Sequence, residues 1–174
     1  MFDPTVFDNL KVVLEGAVYD LDLEGYIEVN SRNDLVNLAD MSRCWNIGFQ
    51  ETGLQEGAAA EIELSIVADQ LQAEWKKTTS YAGCRLRIHY TLPAAADENG
   101  MAVLTAIREI WGADAIVESE VSFDPFASQK MHRQTFTLSF STMITEEHAG
   151  DLERLAESVF QTLKRINDEK GAGI

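Results

Sequence analysis

The chain has 174 residues, 45% of them hydrophobic and 25% charged, the composition of an ordinary globular protein of one domain that buries roughly 70% of the surface its unfolded form exposes. Twenty-nine Asp and Glu against fourteen Lys and Arg give a net charge of -15. Affinity for nucleic acid or anionic lipid comes largely from Lys and Arg, so this balance argues against both as partners. No apolar run approaches the roughly 20 residues that span a bilayer, and Met1-Phe2-Asp3-Pro4 lacks the basic and apolar regions of a secretory leader, so a cytoplasmic protein is expected.

Asp3-Pro4 suits a helix start, with Asp as cap and Pro at the first helical position. Phe7, Leu10, Leu14, Ala17 and Leu21 follow at three- and four-residue steps and predict a helix from about Pro4 to Tyr19. The turn Asp20–Gly25 leads to a short strand, Tyr26–Val29, and Asn33–Met41 reads as a short helical turn with Leu35, Val36 and Leu38 inward. Arg43–Gln50 alternates Trp45, Ile47 and Phe49 against Cys44, Asn46 and Gly48, the period of a half-buried strand. Ala59–Asp69 alternates Ile62, Leu64 and Ile66 against Glu61, Glu63 and Ser65. Gln70–Lys77 fits helix and strand equally. A further strand sets Cys84, Leu86, Ile88 and Tyr90 against Arg85, Arg87, His89 and Thr91, and Pro93 closes it. Asp97 or Asn99 caps a helix bearing Val103, Leu104, Ile107, Ile110 and Trp111, which stops at Gly112.

The clearest local pattern is Ile116–Ile166. Val117, Val121 and Phe123 oppose Glu118, Glu120 and Ser122; after a loop, Arg133–Ile144 sets Phe136, Leu138 and Phe140 against Thr135, Thr137, Ser139 and Ser141. Two such runs predict an antiparallel hairpin with one dry face. Thr145 then caps a long helix whose Leu152, Leu155, Ala156, Val159, Leu163 and Ile166 form one stripe, ending near Glu169 ahead of a disordered tail, 169–174. Every main strand has one dry face. The prediction is a single α+β domain over residues 1–168, a two-layer sandwich with a mostly antiparallel sheet of about five main strands and helices on one face, in the order α-β-β-β-α-β-β-α once the short Tyr26–Val29 strand is set aside.

Few constellations carry chemistry. Asp20-Leu21-Asp22-Leu23-Glu24-Gly25 matches the first half of a calcium loop, but Ser31 stands where a bidentate carboxylate belongs, so an acidic helix-to-strand turn is the reading. Lys76, Lys77, Arg85 and Arg87, extended by His89, gather cations within a short stretch; they suit an anion or acidic peptide, or else cross-strand pairing with Glu61 and Glu63. The pairing is favoured. No two of His89, His132 and His148 have zinc spacing, and His132 and His148 read as solvated surface. Cys44 and Cys84 read as reduced core residues. No nucleophile elbow, phosphate loop or dinucleotide fingerprint occurs, so no catalytic residue, metal or cofactor is expected. Phe126 and Met131 put apolar side chains on the hairpin loop, where turn residues are usually polar, and suggest a contact surface.

A first helix, three main strands, a helix, a hairpin and a closing helix in an acidic chain of this size resemble the layout of the small dimeric chaperones of type III secretion and their YbjN-type relatives. The resemblance is one of element order and brings no site residues with it. It implies a bacterial, chaperone-like homodimer. The absence of catalytic motifs, the acidic surface and the apolar loop point the same way, to a non-enzymatic protein that binds another polypeptide, and the residue patterns themselves offer Phe126, Met131, Arg85, Arg87 and His89 as candidate contact residues. The alternative is a small-molecule binder or enzyme with a pocket between helices and sheet.

Overall fold

A computed structural model describes residues 6–69, 83–94, 100–126 and 132–171. The elements are α1 (Val6–Leu23), β1 (Ile27–Val36), β2 (Arg43–Glu51), β3 (Ala59–Ile66), β4 (Arg85–Ala94), α2 (Gly100–Trp111), β5 (Ala115–Phe123), β6 (His132–Phe140), a 3-10 helix (Glu146–Asp151) and α3 (Leu152–Gly171). The α+β class and the succession of strands and helices are those predicted. Six strands form one antiparallel sheet in the order β1-β2-β3-β4-β6-β5. The Asp3-Pro4 start, Gln70–Lys77, the Asp97 or Asn99 cap and the end of the tail lie outside the described residues.

Alternation in the sequence becomes rows across the sheet. Ile47, Ile62, Ile88, Leu138 and Val117 stand opposite one another on successive strands, flanked by the row Phe49, Ala60, Tyr90 and Phe136. Against this dry face pack Leu152, Ala156, Val159, Leu163 and Ile166 of α3, each 1% exposed or less. The helix lies between α1 and α2 and touches both. A polar contact crosses the core: the Trp111 indole N–H donates to Thr162 Oγ1 at 3.0 Å, and Thr162 donates to the Ser158 carbonyl at 2.8 Å. Beside it the Tyr90 hydroxyl reaches the Val159 carbonyl at 3.4 Å, and burial pushes the phenol far above its ordinary range.

Several local expectations change. The first helix continues past Tyr19 to Leu23, because Asp20–Gly25 is its C-cap rather than a loop. Gly25 is left-handed (φ 81°), its N–H donates to the Asp22 carbonyl at 2.9 Å, and Tyr26 N–H donates to the Leu21 carbonyl at 3.1 Å, a complete Schellman motif. Cys84 is in the core, whereas Cys44 is only half-buried on the open face; burial, then the carboxylates of Glu63 and Glu61, push its thiol up to about 11. The last helix has Thr145 ahead of a 3-10 turn, becomes α-helical at Leu152, and persists to Gly171 rather than stopping near Glu169. His148 belongs to that start: its Nδ1 accepts the Thr145 N–H at 3.0 Å, so it is not merely solvated surface.

The largest change is β1. It pairs with β2 along its whole length, so the short strand runs on to Val36 and no helical turn forms at Asn33–Met41. The register shifts between Val29 and Ser31, and the bulge turns Arg32 and Asp34 to the helix side, opposite Ile47 and Trp45. Leu35, Val36 and Leu38, expected inward, are 58, 47 and 83% exposed. The inward charges are matched. Arg32 meets Glu15 at 2.6 Å, and Asp34 meets Lys11 at 2.7 Å and Arg43 at 3.2 Å. Arg43 also pairs with Asp8 at 3.0 Å and lies 4.5 Å over the Phe7 ring. Burial raises the Asp34 carboxyl, but its hydrogen bonds to Lys11 and Arg43 outweigh that and hold it below the ordinary aspartate range.

Two outcomes are expected in urea denaturation. Thr162→Val leaves the Trp111 donor without its partner and costs about 1–3 kcal/mol. Asp34→Asn costs about 1 kcal/mol at neutral pH. Because the folded pKa of Asp34 is depressed, that contribution is fully present above about pH 4 and disappears as pH falls through the folded value, so mutant and parent converge in acid.

Candidate functional site

The helices α1, α2 and α3 cover one face of the sheet, and none of these described helices lies on the opposite face. Each row on it is largely polar by the same alternation that makes the other face dry. Ser31, Gly48, Glu61, His89, Thr137 and Glu118 form one row, and Asn33, Asn46, Glu63, Arg87, Ser139 and Ile116 the next. Gly48 makes a dip near the middle, because a Cβ there would collide with the Ser31 hydroxyl beside the β1 bulge. The resulting depression, about 420 Å³, has Glu61, Glu63, His89, Thr91 and Thr135 on its walls.

Arg85, Arg87 and His89 therefore share one face of β4, as the alternation predicts. Arg87 pairs with Glu63 at 3.5 Å, and His89 stands opposite Glu61, so the cross-strand reading holds for that part of the cluster. Arg85 stands opposite Ser65 instead, and has no carboxylate within 4.0 Å among the described residues. Lys76 and Lys77 lie outside the described residues. His89 Nδ1 shares a hydrogen bond with Thr137 Oγ1 at 3.0 Å, while its Nε2 is 3.9 Å from Glu63 Oε2. Thr137 was not singled out in the sequence; its place among the alternating hydroxyls of β6 was the available signal. Imidazole and hydroxyl share a hydrogen bond, but the Glu63 carboxylate is beyond hydrogen-bond reach of the ring, and all three stand on an open sheet face where water competes for each of them.

The second expected surface is the hairpin loop. Met131 lies outside the described residues. Phe126 is 94% exposed, and its N–H donates to Asp124 Oδ1 at 2.9 Å, an Asx turn that fixes the backbone around Pro125. The exposed apolar surface continues onto β5, which the sequence reading did not foresee. Val121 and Phe123 are on the helix side, as predicted, yet they are 45 and 59% exposed. The Phe123 ring rests on His132, with centroids 5.7 Å apart. α2 explains the gap: twelve residues of helix are about 18 Å long, whereas the nine residues of β5 extend about 30 Å, so one end of the strand stays uncovered.

Among the described residues no three or more His, Cys, Asp and Glu are grouped to hold a metal ion, and no helix is long and apolar enough to cross a membrane. Arg85→Gln combined with Arg87→Gln is expected to lower stability in urea by no more than about 1 kcal/mol, nearly all of it from the Glu63 pair. The single Arg87→Gln variant checks that division. Comparison with protein-family models, with curated proteins and with solved structures finds no match for this chain.

Proposed function

We propose that this protein is a non-catalytic, chaperone-like domain that binds an extended segment of a partner polypeptide along the free edge of β5. One observation carries this reading. From Glu118 to Phe123 every residue of a sheet-edge strand is exposed, with Val121 and Phe123 apolar on one side and Phe126 just beyond. An unpaired strand edge offers backbone hydrogen bonds to an incoming strand, and side chains on alternate sides select its sequence.

The pattern of β5 names the preferred strand. Val121 and Phe123 on the helix side favour apolar neighbours, and Glu118 and Glu120 on the open side favour Lys or Arg. A second copy of the chain is the weaker occupant. Antiparallel pairing of two β5 strands about Ser119 would set each Glu118 against the other copy's Glu120, and like charges directly opposite are destabilising. Full burial of two Phe and one Val yields about 5–8 kcal/mol, of the same order as the cost of association, so a transient complex is expected. A cytoplasmic place of action accords with the two free thiols.

A labelled nine-residue peptide alternating Lys and Val tests the proposal by fluorescence anisotropy. Phe123→Ser should weaken its binding about tenfold or more and leave the unfolding midpoint nearly unchanged, with a smaller loss for Phe126→Ser. Equal binding by parent and Phe123→Ser would remove the β5 edge as the site.

A further inference from the structure

A groove of about 520 Å³ runs between α1 and α3, remote in the fold from the β5 edge. Its floor is apolar. The Schellman cap at Gly25 folds the chain back so that Tyr26 stacks against Phe160, ring centroids 5.7 Å apart, and Leu21 sits beside them. Tyr26 remains 52% exposed, an aromatic wall with one side unoccupied.

The rim is acidic from both helices: Asp20 and Glu24 from the end of α1, Glu153 and Glu157 from α3, with Lys164 the one cation in the lining. None of these four carboxylates makes an ion pair among the described residues. Part of the arrangement works against the helices that carry it. Asp20 and Glu24 at the C-terminus of α1 oppose the macrodipole with no basic residue in its last turn, and Glu153, though well placed in the first turn of α3, forms a like-charged i,i+4 pair with Glu157. An acidic rim around an apolar floor is complementary to a cationic amphipath.

We propose that this groove binds a short basic amphipathic helix of a partner polypeptide. The walls of the groove are helices whose own backbone groups are already paired, so an occupant must satisfy its backbone internally, which a helix does and an extended strand does not. From Glu153 to Lys164 α3 provides about 17 Å of length, room for three helical turns. Apolar side chains at i, i+3, i+4 and i+7 cover Leu21, Tyr26 and Phe160, and flanking Lys or Arg reach the carboxylates on either side. The net charge of -15 steers such a segment toward the protein.

The experiment is an anisotropy titration with a labelled fourteen-residue Leu/Lys amphipathic helix, run beside a scrambled peptide of identical composition and with spermidine as competitor. The expected result is binding of the patterned peptide at least tenfold tighter than the scrambled one. Glu24→Lys with Glu157→Lys should weaken it tenfold or more, and a Leu/Glu peptide should bind that variant better than it binds the parent. Both positions are exposed, and Glu24→Lys relieves an acid at a helix C-terminus, so lost binding would not be lost folding. Phe123→Ser should leave this binding unchanged, which separates the groove from the β5 edge. Equal affinity for the scrambled peptide, indifference to the charge reversal, or full displacement of the peptide by micromolar spermidine would overturn the proposal.

Discussion

The stripe of α3 against the dry face of the central strands is the contact on which the rest of the fold depends. Leu152, Ala156, Val159, Leu163 and Ile166 are all buried, and they bring together strands that are far apart in sequence. Each aliphatic side chain fully buried there contributes about 1.5–3 kcal/mol, more than any exposed ion pair in the molecule. Thr162 adds orientation to that adhesion. It accepts the Trp111 indole N–H from α2 next to the Tyr90 hydroxyl of β4, so the helix is fixed in rotation as well as in depth.

A one-sided sandwich leaves two kinds of surface to be managed. The open face is handled by alternation, with Glu63, Arg87 and His89 partly neutralising one another across strands. The sheet edges are handled differently. β1 is blunted by its bulge and by Arg32 and Asp34, whose charges point inward and are tied to Glu15, Lys11 and Arg43; inward charge and irregularity both discourage further strand addition. β5 has neither a bulge nor an inward charge, only Glu118 and Glu120 on its open side. The two edges thus differ in how far they are blunted, β5 less than β1.

Much of the fold was legible because burial enforces periodicity. Trp45, Ile47 and Phe49, or Phe136 and Leu138, alternate since one face of their strands is wholly dry, and a single slip would bury Glu63 or Arg87. Gly112 ended α2 as expected, with φ 71° and its N–H on the Arg108 carbonyl at 2.9 Å. Where an element was not half-buried the signal failed. Leu35, Val36 and Leu38 have helical spacing without a core to face, and the bulge after Val29 breaks the alternation that would have revealed the strand. The candidate sites followed the same division: Arg87 and His89 were placed correctly by strand parity, whereas the exposure of Val121 and Phe123 depended on how far α2 reaches.

The sequence by itself determined most of the elements and the dry side of the main strands, because these follow from neighbours along the chain. Tertiary structure alone decided that β6 rather than β5 joins β4, since either strand of a hairpin can dock with the same alternation. It also decided that Tyr26 meets Phe160, and that Asp20 and Glu24 face Glu153 and Glu157. Those residues are brought together by the packing of α1 against α3, a long-range contact that no local periodicity encodes.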